Sequence, residues 1–200
     1  MARILGPYTP HAYAVAGTGT TWWNPTDAYT ENGMTASSMM SYALGLTTQQ
    51  LWLTDFRVPA YPADWHGTAG VVVKVKCAEG SSGEPVRDTL VQLIIDGALQ
   101  GTNAADSTEL PTVLTWLEYG DPDDYSYWGI GNLHDKMLES DFGVAIAYDH
   151  PIHTPPCYGA TVSVDAVSLY IYESECLIPT WIAQPAGHMI VGAHLMSLGV

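Results

Sequence analysis

The residues able to do chemistry are scattered, and their spacing fits no standard site. His150, His153 and Cys157 lie in His-Pro-Ile-His-Thr-Pro-Pro-Cys, and imidazole and thiolate are zinc ligands. The prolines make that stretch a loop, and a fourth ligand would have to come from Asp149 or Cys176. Asp121-Pro122-Asp123-Asp124 offers oxygens to calcium. It lacks the glycine and distal glutamate of an EF-hand, so it reads as a solvated acidic loop. Gly17-Thr18-Gly19-Thr20-Thr21 lacks the lysine of a phosphate loop, and neither Gly-x-Ser-x-Gly nor His-Glu-x-x-His occurs.

The 21 acids allow many carboxylate pairs. Retaining glycoside hydrolysis needs two carboxyls about 5–5.5 Å apart across a cleft, which sequence spacing does not reveal. Trp52, Trp65, Trp116 and Trp128 have the ring faces that stack on sugars, but packing in a core or interface is the commoner use of such rings. The expectation is therefore no catalytic residue, no metal and no cofactor.

Charge excludes further classes. With 21 acids against 6 bases, the net charge is −15. Phosphate contacts are made by Lys and Arg, so neither nucleic acid nor an anionic membrane surface is an expected partner. Three cysteines, Cys77, Cys157 and Cys176, are too few and odd in number for a disulfide framework, and they read as free thiols of a reducing cytosol. No secretory signal is visible, and no run approaches the ~18 apolar residues of a membrane helix.

The elements that must position these residues read as strands. Val71, Val73, Val75 and Cys77 alternate with Val72, Lys74 and Lys76 in Gly70–Cys77, the period of a strand with one wet face. Thr89–Asp96 follows, closed by the turn former Asp96-Gly97. The Gly- and Ser-rich loop 79–85 joins these two, which are expected to pair as a hairpin. Further strands are expected at Leu51–Val58, Thr112–Tyr119, Phe142–Tyr148 and Thr161–Tyr172, the last apolar on both faces. Asn132–Ser140 and Met34–Leu46 are the helix candidates. Asn32-Gly33 suits a hairpin turn, Trp23 and Trp128 are bulky enough to plug the ends of a sandwich, and Asp165 needs partners if buried. About eight short strands fit an all-β, antiparallel β-sandwich of jelly-roll type. An immunoglobulin-like sandwich is the runner-up, without its Cys–Trp–Cys framework.

Charge also divides the chain. Residues 1–21 carry only Arg3, and residues 176–200 carry no Asp, Glu, Lys or Arg. The expected organisation is an N-terminal arm (1–21), a sandwich (22–175) and an apolar C-terminal extension (176–200). The alternative for both ends is packing as edge strands on their own domain. Tyr8, Tyr13, Val15, Trp181, Ile182, Met189, Ile190 and Leu195 are the expected interface residues, since aromatic residues and Met are enriched in interface cores.

Short phrases recur in a telling order: Trp22-Trp23-Asn24-Pro25, Ala28, Asn32-Gly33, Ala36, Asp55-Phe56-Arg57-Val58-Pro59, Gly70–Val75, Tyr119-Gly120, Trp128-Gly129, Asp141-Phe142-Gly143-Val144 and Val164-Asp165-Ala166-Val167-Ser168-Leu169. Over residues 20–172 this order resembles a family of jelly-roll structural proteins of tailed-phage virions. The chain departs from that pattern at Gly67-Thr68-Ala69-Gly70, where the family often has an apolar β-branched residue before the glycine, and in its apolar extension after Glu175. The resemblance implies a non-enzymatic virion protein, a capsid cement or decoration subunit whose partners are coat or other virion proteins. A homo-oligomer is expected, a trimer by the symmetry of a capsid position. The alternatives are a tail-associated receptor- or carbohydrate-binding module and a glycan-degrading enzyme.

Overall fold

Period-two alternation and frequent turn formers produce strands almost throughout. The computed structural model describes residues 3–41, 44, 46–62, 65, 67–80, 85–151 and 159–174. Its ten strands are β1 (Ile4–Tyr8), β2 (Ala12–Ala16), β3 (Ala36–Met40), β4 (Gln50–Thr54), β5 (Thr68–Glu79), β6 (Arg87–Ile95), β7 (Ala98–Gln100), β8 (Thr115–Asp121), β9 (Gly143–Asp149) and β10 (Ala160–Glu173). The described helices are a 3₁₀ turn at Pro25–Ala28 and a single α-turn, α1, at Leu133–Lys136. Asn132–Ser140 thus holds one turn of helix.

The strands form two five-stranded antiparallel sheets. The first runs β1-β10-β5-β8, with β3 also on β10; the second runs β2-β4-β9-β6-β7. β1 and β3 share one edge of β10, β1 opposite Leu169–Tyr172 and β3 opposite 160–164. Sequence neighbours therefore fall repeatedly in opposite sheets, and the fold is a jelly-roll β-sandwich. Val71, Val73, Val75, Cys77, Val167, Leu169 and Ile171 of the first sheet join Leu51, Leu53, Val91, Leu93, Val144 and Ile146 of the second in one buried core.

Several expectations are corrected. β5 and β6 do not form a hairpin: β5 pairs with β10 and β8, while β6 lies in the other sheet beside β9 and β7. A Gly/Ser loop serves a sheet-to-sheet corner as well as a hairpin. The hairpin that does form is β6–β7, with Asp96 (φ 53°) and Gly97 (φ 69°) in the left-handed region its tight turn requires. Among the described residues, Met34–Leu46 holds β3 and no helix. β4 stops at Thr54, because Asp55 and Arg57 take positive φ and break the extended chain. Residues 1–21 are not a separate arm, for β1 and β2 are edge strands of the two sheets.

Of the two tryptophans expected to plug the sandwich, only Trp128 is buried; Trp23 is 53% exposed and Trp22 is inside instead. The Trp128 Nε1–H donates to the Val71 carbonyl at 2.9 Å. Gly120 makes room for it. A Cβ there would lie 2.3 Å from the Val71 oxygen and 3.2 Å from Trp128 Nε1, at a φ of +108° that favours glycine.

Asp165 has 0% exposure. One carboxylate oxygen accepts the backbone N–H groups of Asn32 (3.2 Å) and Gly33 (3.0 Å), and the other meets Lys76 Nζ at 3.0 Å. Asn32-Gly33 is therefore not a hairpin turn; it clasps residues 25–35 onto β10. Burial alone would raise the Asp165 pKa, but the Lys76 ammonium and the two N–H donors outweigh it and hold it below the ordinary range. We expect Asp165→Ala to cost about 2 kcal/mol by urea denaturation at neutral pH, since two N–H groups and a cation lose their acceptor. A depressed carboxylate stabilises above its unfolded pKa and stops doing so as pH falls through its folded value. The gap between variant and parent should accordingly close on acidification.

Candidate functional site

One side of the sandwich is apolar and open. β2 reads Ala-Tyr-Ala-Val-Ala, pairs with β4, and has no strand on its other edge among the described residues. It lacks the charge, proline or bulge that usually guards an edge strand. Tyr13 and Val15, two of the expected interface residues, are 45% and 38% exposed here. Tyr8 is instead half-buried against the core, opposite Leu169. Trp181, Ile182, Met189, Ile190 and Leu195 lie outside the described residues.

Residues 20–23 close this side by bonding to both sheets. The Thr20 N–H donates to the Thr47 carbonyl at 2.8 Å, the Thr20 and Ser38 hydroxyls lie 2.8 Å apart, and Trp23 exchanges backbone bonds with Ser37. Beside them Gly19, Thr20, Thr21, Trp23, Met39 and Leu44 line a hollow of about 230 Å³. Trp23, Met39 and Leu44 are exposed. Sequence reading missed all three as surface residues. Extended pairing turns one member of Trp22-Trp23 in and the other out, but the sequence does not say which.

The outer face of the second sheet is uncharged at its centre. Register places Ala14, Trp52, Ala145 and Gln92 in one row, and Ala12, Thr54, Gly143 and Ile94 in the next. Trp52 is the one large ring in these rows. Its Nε1–H donates to Gln50 Oε1 at 2.9 Å, and Gln92 Nε2–H donates to the Gly101 carbonyl at 2.8 Å.

At the opposite side lies an acidic cavity of about 250 Å³ between β6, β8 and the segment 104–109, with Asp88 and Tyr119 among its lining residues. Asp88 is 2% exposed, and its carboxylate accepts the Ser107 N–H at 2.9 Å. Burial raises its pKa, Tyr119 lowers it, Asp106 raises it, and the N–H groups of Ser107 and Asp106 lower it; the net shift is upward. The Tyr119 hydroxyl, beside Asp88, is pushed well above its ordinary range by burial and by that carboxylate. Deeper in the core, burial pushes the Cys77 thiol up to about 12, which leaves it protonated and unreactive.

Of the metal-ligand candidates, the described ones make contacts of their own. His150 is buried, with Nδ1 3.0 Å from the Pro85 carbonyl, while His153 and Cys157 lie outside the described residues. Asp121 and Asp124 accept the N–H groups of Asp123 and Ser126, which folds their loop on itself. Asp96, Glu139 and Asp141 come together at the surface, where Lys136 Nζ meets Asp96 at 2.9 Å and Glu139 at 3.3 Å.

No family model and no curated protein matches the chain. Among solved structures it is similar to one described as "CBM4 structure and function", at 13% identity and a TM-score of 0.38, over 70% of this chain and 85% of that one. It is also similar to alginate lyase A1-II', a member of polysaccharide lyase family 7, at 12% identity and a TM-score of 0.31, over 74% of this chain and 83% of that one. Likenesses this distant assign neither ligand nor activity, so the site must be read from its own geometry.

Asp88 gives a test of that geometry. A carboxylate with a raised folded pKa holds its proton longer in the native state, so stability falls as pH rises from the unfolded value near ~3.9 through the folded one. Asp88→Asn should remove that slope. Urea midpoints measured from pH 4 to pH 7.5 are expected to fall less steeply in the variant than in the parent.

Proposed function

We propose that the protein is a non-enzymatic structural subunit of a phage particle, attached to the head surface as a cement or decoration protein. The observation that carries the reading is the exposure of apolar side chains at the β2 edge, Tyr13 and Val15, and around the hollow lined by Trp23, Met39 and Leu44, on a chain of net charge −15. Water tolerates these side chains poorly, and covering them contributes about 25 cal/mol per Å² before ordering costs. The β2 edge, which has no neighbouring strand among the described residues, adds backbone donors and acceptors that a partner strand can satisfy. The ordered phrases from Trp22 to Leu169 support the phage context. The acidic body faces solvent or a basic patch on the coat. The stretch 176–200, without Asp, Glu, Lys or Arg, is in this reading a further segment for attachment.

Attachment can be tested with heads lacking the protein. The pair Val15→Lys and Trp23→Ala should weaken co-sedimentation with such heads roughly tenfold or more, a loss of at least about 1.4 kcal/mol, without lowering the melting temperature. Undiminished co-sedimentation would overturn the edge as the contact. Immunogold labelling spread over heads supports the cement reading, and labelling confined to tails rejects it.

Trp52 favours a second reading. A half-buried indole among alanines, glycine and the amides of Gln50 and Gln92 has the apolar ring and the amides that bind a neutral sugar. In this reading the outer face of the second sheet binds host glycan from a tail-associated position. Host polysaccharide should then quench tryptophan fluorescence in the parent, and Trp52→Ala should abolish the change. Identical quenching in both proteins would remove Trp52 from consideration.

A further inference from the structure

The cavity that holds Asp88 and Tyr119 is distinct from the apolar side and from Trp52. Its depth is graded. Asp88 and Tyr119 are buried at 2% and 6% exposure, whereas Asp106, Glu109 and Glu118 are exposed around the opening. Tyr127 also lines it, and no basic side chain does among the described residues. The Tyr119 hydroxyl faces Asp88 yet makes no well-formed hydrogen bond within the protein.

Buried charge normally has a counter-ion or a full set of donors. Asp88 has the Ser107 and Asp106 N–H groups and the Tyr119 hydroxyl, and no cation contributes to its shift. No Lys or Arg of the chain is left over. All six of its Lys and Arg side chains are ion-paired: Arg3 with Glu173, Arg57 with Asp55, Lys74 with Glu118, Lys76 with Glu31 and Asp165, Arg87 with Glu109, and Lys136 with Asp96 and Glu139. Two of these pairs neutralise Glu118 and Glu109 at the opening and leave Asp88 and Asp106 as the uncompensated charges.

We infer that this cavity is a receptor for a guanidinium group, the arginine side chain of a partner protein. A guanidinium is planar, carries five donors, and suits carboxylates. Asp88 and Asp106 supply the acceptors. The Tyr119 hydroxyl, beside Asp88, offers its oxygen to a guanidinium N–H. The Tyr127 ring, beside the same space, adds an aromatic neighbour of the kind that favours a cation. The cavity's 250 Å³ is large enough to admit the end of an arginine side chain. The source of the arginine rests on the docking reading above, but the chemistry of the cavity does not.

The test uses the intact chain and three probes: butylguanidinium, its neutral isostere butylurea, and calcium. Amide NMR shifts of Ser107, Thr108 and Gly120 report on the cavity. Saturable shifts are expected with butylguanidinium at millimolar concentration, as for a single side chain without its protein, and none with butylurea. Asp88→Asn should weaken binding roughly tenfold or more, and Asp106→Asn, at the exposed opening, should weaken it in the same direction. Asp123→Asn, in a separate acidic loop, should leave it unchanged. Equal shifts with butylurea, saturation by calcium at lower concentration than by butylguanidinium, or full binding in Asp106→Asn would each overturn the assignment. A cavity that fails this test leaves the apolar side untouched. Heads that fail to bind while butylguanidinium still does would reject the docking reading alone.

Discussion

β10 must satisfy backbone donors and acceptors along both edges, and it draws the strands for this from distant parts of the chain. β5 covers one edge from Val162 to Glu173; β1 and β3 divide the other. Its inner face supplies Val162, Val164, Val167, Leu169 and Ile171 to the core, and outward Ala166 and Ser168 are also nearly inaccessible. Polar atoms on such a strand need partners inside the protein. Asp165 meets that requirement by binding Asn32, Gly33 and Lys76, which draws the segment before β3 onto the sheet and fixes where the apolar side is displayed. The bulge between Val164 and Ala166 sits at this residue and re-aims the strand around it.

The strands were legible in the sequence because their signal is local. Alternation in β5, the doubly apolar pattern of β10 and the Asp96-Gly97 turn each follow from residues close together. Their assignment to sheets was not local. The loop after β5 carries the same glycines and serines whether the chain doubles back or crosses to the other sheet, and only the competition of β8 and β10 for the edges of β5 decides. Met34–Leu46 misled because Met and Ala favour helices, while β3 owes its state to pairing with β10.

The candidate sites were less legible for the same reason. Tyr13 and Val15 stood out as apolar residues in an uncharged stretch. Trp23, Met39 and Leu44 meet only after β3 is placed and residues 20–23 have bridged the sheets. Asp88 reads as an ordinary strand-edge aspartate, and nothing near it in sequence announces Tyr119, 31 positions later. Both come to the cavity because β6 and β8 lie in different sheets at the same side of the sandwich.

Charge then constrains how the molecule can meet others. With every Lys and Arg already paired, the surplus carboxylates define the long-range field, and like copies repel until screening takes over at about 8 Å in physiological salt. An apolar side on such a body can bury itself in two ways. It can meet a partner whose surface carries the missing positive charge, or it can pack about a symmetry axis that holds the acidic bodies apart. A basic partner gains attraction at long range and burial at short range from the same approach. Self-association through the same patch must pay the repulsion first, and that repulsion grows as salt is removed. Ionic strength therefore acts in opposite directions on the two modes: lowering it strengthens attachment to a basic surface and weakens association between copies.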